Sequence, residues 1–483
     1  MRVLFVTSEI APLIKTGGLA DVSAALPAAL HDLGVDVRVL LPGYPQVMRA
    51  LPHLEHAAHF AGSPAYPEVN LLASVLPDGV PIWVIDCPEM YSRGGGAYQD
   101  EHGVDWFDNA HRFGLLSKIG ALLGSAHSPL HWRADVVHCN DWQAGLTPAY
   151  LRFLPNPAPT VMTVHNLAFQ GVFPPYRVSE LGLPGECFQI NGVEYYGNLS
   201  FLKAGLYYAD QITTVSPSYA EEIQTEKLGF GLQGLLTHRR ADLTGILNGV
   251  DPHEWNPATD RNIARQYDVK NLKNKEINKR ELQKHMGLHV DPKIPLFGLV
   301  GRFTHQKGLD MVLDIAPQLT ALPAQLVLLG TGDAGLQRTA LELSHQYSGQ
   351  ISTYVGFDEG LSHLVEAGSD IFLMPSRFEP CGLNQMYSQR YGTPPIVHGT
   401  GGLIDSVVDC NEQTLANKTA SGFVFNNSRD TTGLWNAVQR AVTAYHDKKI
   451  WKALQKNGMG KDFGWEKSAS AYRDIYERLI RRP

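Results

Sequence analysis

The sequence predicts an α/β protein made of two doubly wound domains. Three observations carry that prediction. Short, continuous apolar runs alternate with helical stretches, which is the pattern of parallel strands covered on both faces. The runs fall into two series, separated by a segment of turn chemistry and then a polar stretch. Polar and charged residues gather just after the apolar runs, where open α/β sheets bind their ligands.

Length and composition agree. A chain of 483 residues is too long for one ordinary core. Its 44% hydrophobic and 18% charged content is that of a folded protein. The net charge of −7 gives no electrostatic footprint for nucleic acid. No apolar stretch reaches the length of a membrane span, and the N-terminal apolar residues read as a first strand, not a signal. The five cysteines have no CxxC spacing, so neither a disulfide framework nor a zinc site is expected, and a cytoplasmic setting is.

The first series begins with a strand at Val3–Val6 and continues through Val35–Leu41, Val80–Asp86, Ala134–Cys139, Thr160–His165 and Gln211–Val215. Between the first two runs, Lys15-Thr16-Gly17-Gly18 leads into an apolar-periodic helix from Leu19 to about Leu33. Paired glycines let backbone approach a ligand closely, and helix N-terminal amides favour an anion. With Lys15 beside them, Gly17 and Gly18 read as a cradle for a phosphorylated ligand. The loop is neither a Walker P-loop nor a GxGxxG fingerprint, which weakens triphosphate hydrolysis and dinucleotide binding.

The boundary is expected near Leu247-Asn248-Gly249-Val250-Asp251-Pro252, a cluster of turn residues. The polar stretch Asp268–Lys284 reads as a solvated helix without function. The second series is Leu296–Val300, Gln325–Gly330, Ile351–Val355, Asp370–Met374 and Pro395–His398. The last segment, from Trp465 to Ile480, is amphipathic and suits either a cap on the second domain or a return to the first.

The strand-end candidates are Lys15, Asp141, His165, Arg302 and Glu379. Such residues in both domains imply one cleft. Arg302 and Lys307 are five apart after a strand; a bland surface pair is the alternative. Arg suits bidentate phosphate contact and Lys a point charge, so together they can neutralise a departing diphosphate. Glu379 reads as a helix N-terminal carboxylate or as a partner for sugar hydroxyls. Cys381 reads as a small buried residue, with no base assigned to it. Thr400-Gly401-Gly402-Leu403 repeats the pattern of the opening loop and offers a second amide nest. His165 is either structural or sugar-facing, as are Asp141 and Trp142. No DxD triplet occurs, so a metal-dependent sugar-nucleotide site is not indicated.

Taken together, the motifs resemble the bacterial glycogen synthases and their relatives, the plant starch synthases. The resemblance spans nearly the whole chain: Lys15–Val22, His138–Gly145, Val164–Gly171, Leu247–Asp251 with Trp255-Asn256-Pro257, Gly301–Asp310, Ser376–Leu383 and Gly399–Leu403. It implies a GT-B glycosyltransferase of two Rossmann-like domains facing each other across a cleft, spanning residues 1–248 and 249–463, with a helix at 464–483 crossing back to the first. It implies retaining transfer of glucose from ADP-glucose to the nonreducing end of an α-1,4-glucan, glycogen or a maltooligosaccharide primer, with no metal or cofactor.

By the same resemblance, Arg302 and Lys307 would stabilise departing ADP, and Asp141, His165, Asn248 and Glu379 would surround the glucose. Lys15, Gly17 and Gly18, with Cys381, Gly382, Leu383 and Thr400–Gly402, would complete the donor site. Phe357 stands where relatives often carry Tyr and would stack on adenine. Tyr98, in a glycine-rich loop, and Trp142 would contact the acceptor. A UDP-glucose-dependent enzyme and a non-catalytic glucan-binding relative are the competing readings.

Overall fold

The computed structural model describes residues 1–481. Its contacts divide into two compact units: Met1–Gly249 together with the segment from Trp465, and Val250–Gly464. Residues 482 and 483, the end of the expected return helix, lie outside the described residues.

The strands of unit 1, in chain order, are β1 (Arg2–Val6), β2 (Asp36–Pro42), β3 (Glu55–Phe60), β4 (Val69–Val75), β5 (Pro81–Asp86), β6 (Val136–Asn140), β7 (Thr160–Val164), β8 (Val172–Phe173), β9 (Glu194–Tyr195), β10 (Asn198–Ser200), β11 (Gln211–Thr214) and β12 (Leu243–Gly245). Nine of them form one sheet in the order β12-β11-β7-β6-β1-β2-β5-β4-β3. From β12 to β5 all neighbours are parallel. β3 and β4 then extend the edge as antiparallel strands, a departure from the all-parallel sheet expected. With one buried residue in β3 and two in β4, these strands form a half-solvated edge, not a buried apolar run. The short strands β8, β10 and β9 make a separate antiparallel sheet.

Unit 2 carries β13 (Leu296–Val300), β14 (Gln325–Gly330), β15 (Ile351–Val355), β16 (Ile371–Met374), β17 (Pro395–His398) and β18 (Phe423–Phe425). All its pairings are parallel, in the order β15-β14-β13-β16-β17-β18. Successive side chains explain the continuous apolar runs. Phe297 and Leu299 join one buried cluster with Leu326, Leu328, Ile371 and Leu373, whereas Leu296, Val327, Leu329, Phe372 and Met374 join the cluster on the other face.

Numbered within unit 2, the strand order is 3-2-1-4-5-6, and the parallel part of unit 1 has the same order with one strand added. In both, order reverses beside the first strand, between β1 and β6 and between β13 and β16. These are the switch points beyond which such sheets bind ligands.

Two expectations about surface segments are resolved. The helix Lys275–His285 is not simply solvated. Lys275 is buried, and its Nζ donates to the carbonyl of Ala367 at 2.7 Å and to Thr393 Oγ1 at 2.6 Å. Lys279 Nζ lies 2.6 Å from Asp370 Oδ2. These ammonium groups satisfy loop and helix-end carbonyls that burial would otherwise leave unpaired. The amphipathic terminal helix Trp465–Arg481 belongs to unit 1. There, Tyr476 bonds His138 Nδ1 of β6 at 2.7 Å, and Ser468 Oγ donates to the carbonyl of Leu247 at 2.6 Å.

Candidate active site

In unit 1 the loops after β1, β6 and β7 converge. Asp141 follows β6 with φ of 53°, a left-handed conformation uncommon for a side chain with a Cβ. That turn aims its carboxylate across to the next loop, where Oδ1 accepts the backbone N–H of His165 at 2.7 Å. His165 Nε2 in turn bonds Asn140 Oδ1 at 3.0 Å. Burial pushes Asp141 up to about 7, against the pull of the His165 and Asn166 amides. Burial also pushes His165 down to about 3, so its imidazole is neutral at neutral pH. A neutral imidazole beside a carboxylate can exchange hydrogen bonds with hydroxyl groups without adding positive charge.

The opening loop is arranged differently from the simple cradle expected of it. Lys15 Nζ pairs with Asp21 at 2.8 Å. The Gly17 N–H donates to the carboxylate of Glu9 at 3.2 Å, and the Thr16 N–H donates to the same oxygen. The anion on these two amides is therefore the protein's own. Gly18 opens the helix Gly18–Asp32. Tyr98 is also held inward: its hydroxyl bonds Ser8 Oγ at 2.8 Å and donates to Glu9. Glu9 was not anticipated, because nothing local in sequence distinguishes it.

Trp142 sits among aromatic rings, with centroids 5.1 Å from Phe113, 5.8 Å from Phe173 and 6.0 Å from Phe201. It lines an open pocket of about 580 Å³ with Trp106, Phe169 and Phe173, and with polar Asp105 and Gln170. Trp106 Nε1 and Gln170 Oε1 are buried without a hydrogen-bond partner. Asn248 Oδ1 is buried and unpartnered as well, in a residue only 7% exposed. Each such atom costs about 1–3 kcal/mol unless a ligand or water satisfies it.

In unit 2 the loops after β13 and β16 are knit together. Lys307 Nζ donates to Glu379 Oε2 at 2.6 Å, and Ser376 Oγ donates to the same oxygen at 2.9 Å. Arg377 chelates Asp310 at 2.8 and 2.7 Å, and its N–H donates to the carbonyl of Gln306 at 2.8 Å. The expected phosphate lysine and the expected sugar carboxylate are thus one ion pair. Arg302 is exposed and has no ion pair among the described residues. Phe357, just past β15, is 76% exposed.

Cys381 is buried, and Gly382 has φ of +74°. The Gly402 N–H donates to the carbonyls of Glu379 and Pro380 at 3.1 and 3.2 Å, so it closes the 379–381 loop instead of forming an open nest. A Cβ on Gly402 would lie 2.1 Å from the Cys381 carbonyl oxygen, and one on Gly401 would lie 2.0 Å from that of Glu379. Glycine is required there by direct backbone contact. Thr400, in extended conformation, precedes the short helix Gly401–Ser406, and Leu383 precedes the helix Asn384–Arg390.

Two Rossmann-like units in one chain, each with polar residues at its switch point, are the architecture that comparison with known proteins identifies as that of a GT-B glycosyltransferase. A family model of the starch synthase catalytic domain matches residues 2–238, and one of group 1 glycosyl transferases matches residues 280–455. The catalytic domain of starch synthase IV from Arabidopsis thaliana, solved with ADP and acarbose, superposes with a TM-score of 0.87 at 32% identity, covering 99% of both chains. Sucrose-phosphate synthase from Thermosynechococcus elongatus, at 20% identity and a TM-score of 0.60 over 99% of both chains, shares the fold. Glycogen synthases of Nitrosomonas eutropha and Nitrosomonas europaea are 57% identical over 100% of this chain and 97% and 98% of theirs. The chain belongs to the glycogen synthase family.

Proposed function

We propose that the chain transfers glucose from ADP-glucose to the nonreducing end of an α-1,4-glucan, with retention and release of ADP. The observation that carries this is the switch point of unit 2. There an exposed Arg302 and the Lys307–Glu379 pair stand on loops that hydrogen bonds hold rigidly. Positive charge fixed before reaction stabilises a departing diphosphate without reorganisation. Glu379, neutralised by Lys307, is suited to accept hydroxyls of the transferred glucose. Exposed Phe357 offers a face for adenine.

Support for the acceptor comes from unit 1. Aromatic walls with polar atoms awaiting partners are the chemistry that holds a sugar ring: apolar faces stack and hydroxyls bond. Trp142 supplies such a wall, and Tyr98 stands beside it with ring centroids 6.5 Å apart. Asp141, His165 and Asn248 provide groups for glucose hydroxyls. Lys15 and Gly18 would act on the donor's phosphates.

No side chain is placed as an activated nucleophile. Cys381 is buried and has no base assigned. We therefore read the reaction as a front-face displacement, in which the leaving phosphate takes the proton of the attacking 4-hydroxyl. Five cysteines without CxxC spacing fit a reducing cytoplasm, and among the described residues no helix is long and apolar enough to cross a membrane.

The test is transfer of label from ADP-glucose or UDP-glucose to glycogen by the purified protein. Transfer from ADP-glucose with release of ADP is expected. Preference for UDP-glucose would overturn the donor assignment. Glucan binding without ADP release would overturn catalysis. Trapping a covalent glucosyl-enzyme would overturn the displacement.

A further inference from the structure

Glu9 lies just past β1, at the switch point of unit 1, and is 3% exposed. Its Oε2 accepts the N–H groups of Thr16 and Gly17, and its Oε1 accepts the Tyr98 hydroxyl. Its own backbone is fixed as well. Thr7 Oγ1 donates to the Glu9 carbonyl at 3.0 Å and is itself bonded to Ser23 Oγ, on the helix Gly18–Asp32, at 2.8 Å. One carboxylate thus joins the end of β1 to the Lys15–Gly18 loop seven and eight residues on and to the Tyr98 loop, 89 residues away.

The loop's other ties lie at its ends: Lys15 pairs with Asp21, the Gly17 carbonyl accepts from the Ala20 N–H, and buried Ile14 bridges Ile10 just before it. Lys15, Thr16, Gly17 and Gly18 are all exposed. Gly17 is extended, with φ of −156°, a conformation open to any residue. A Cβ on Gly17 or Gly18 would meet nothing within 4 Å. Neither backbone conformation nor internal packing therefore demands glycine at 17, and packing does not demand it at 18. Close approach of a ligand is the remaining physical reason for bare backbone. Buried Ile14 and Leu19 pin the loop at either end, and between them the Thr16 and Gly17 amides are fixed by the Glu9 carboxylate.

We propose that Glu9 is a positioning residue for glucosyl transfer, setting the Lys15–Gly18 loop and Tyr98 in fixed register with one another. This rests on the reading that the loop acts on the donor and Tyr98 on the acceptor. Glu9 touches neither substrate. It spends both oxygens on the protein, and the Gly17 amide is consequently part of the scaffold, leaving Lys15 and Gly18 as the loop's reactive face. Loss of the anchor frees the loop and the ring together, so both substrates feel it. Misplacement of about 1 Å in such a group costs on the order of 10²-fold in rate.

The test uses the full-length protein and the variants Glu9→Ala, Glu9→Asp and Glu9→Gln. KM and kcat are measured separately for ADP-glucose and maltoheptaose, with amide exchange over residues 15–18 as a readout free of catalysis. Glu9→Ala should speed exchange at Thr16 and Gly17 by about tenfold or more and raise both KM values. It should also lower kcat by about 10- to 100-fold. Glu9→Asp, one methylene too short to reach all three donors, should show the same pattern more weakly, and it serves if Glu9→Ala does not fold. Glu9→Gln keeps an oxygen for the amides and an NH2 for the Tyr98 oxygen, and should recover most of both. Wild-type KM and kcat in folded Glu9→Ala or Glu9→Asp, with or without faster exchange, overturn the inference alone. A wild-type protein inactive with ADP-glucose overturns the functional reading and this inference together.

Discussion

Replacing Lys307 by Met should damage the protein in two separable ways. The ammonium lies 2.6 Å from Glu379, with the two side chains 23% and 7% exposed. Removing the cation leaves a buried carboxylate whose remaining side-chain donor among the described residues is Ser376 Oγ. Breaking a fully buried pair costs about 3–5 kcal/mol. The lysine end is partly wet, which reduces this to about 2–3 kcal/mol. For a unit of this size that is a fall of roughly 4–12 °C in melting temperature. Turnover should fall by about 10²–10³, the usual cost of one charge-stabilising donor. Adding Glu379→Gln removes the orphaned charge, so the double variant should regain most of the melting temperature and none of the turnover. Calorimetry and steady-state transfer to glycogen on all four proteins complete the cycle. A single variant with normal melting and turnover within twofold of wild type would refute the argument. So would a double variant that recovers turnover, since Lys307 would then act only as a counter-ion.

Three further outcomes follow from the same geometry. Gly402→Ala should drive the 379–381 loop away, because its Cβ would lie 2.1 Å from the Cys381 carbonyl oxygen; a loss of about 1–3 kcal/mol and a drop in kcat are expected, and unchanged kcat would count against the loop's role. Gly171→Ala, at φ of +58° and with its Cβ 2.3 Å from the Trp142 ring, should raise KM for maltooligosaccharides while leaving KM for ADP-glucose in place. Burial holds His138 down to about 3, so unfolding between about pH 4 and 6 takes up a proton there. Its stabilising contribution is complete above the unfolded value near 6.5 and is lost as pH falls toward 3. His138→Gln should flatten the stability–pH slope by about 1.4 kcal/mol per pH unit in that window, as read by urea unfolding; an unchanged slope would show that His138 already titrates in the native state.

Eleven strands of the two sheets were legible, because a buried parallel strand is largely apolar, as Leu296–Val300 is. β3, β4, β12 and β18 were not: Glu55–Phe60 and Val69–Val75 need one apolar face only, and Leu243–Gly245 and Phe423–Phe425 are three residues long. The charged run around Lys275 and Lys279 was misleading for a related reason. Composition records the charge of an ammonium but not the carbonyls it is folded against. Positions of site residues at strand ends could be read from order alone. Their partners could not, since Lys307 and Glu379 are 72 residues apart and Glu9 and Tyr98 are 89 apart. A pairing at that separation is a property of the fold.

The strand order explains why the chemistry gathers where it does in each unit. On one side of β1 or β13 the chain crosses over one face of the sheet, and on the other side it crosses over the opposite face. The loops leaving the two central strands therefore diverge. At that point unit 1 places Glu9 after β1 and Asp141 after β6. Unit 2 sends Arg302 after β13 and Glu379 after β16. The contrast lies in how the carboxylates are compensated. Lys307 neutralises Glu379 with a full charge, which would suit the diphosphate role proposed for that loop. Glu9 and Asp141 are held by neutral N–H and O–H donors. Burial raises both carboxyls, Asp141 to about 7, so the pair carries less fixed negative charge than two free carboxylates would and suits hydroxyl groups. Lys15, paired with Asp21, is the cation of unit 1 proposed for the donor's phosphates. Neutralising Lys15 should accordingly weaken ADP-glucose more than glucan. The measurement that decides it is the ratio of the two KM changes in Lys15→Gln, and equal changes would refute the division of labour.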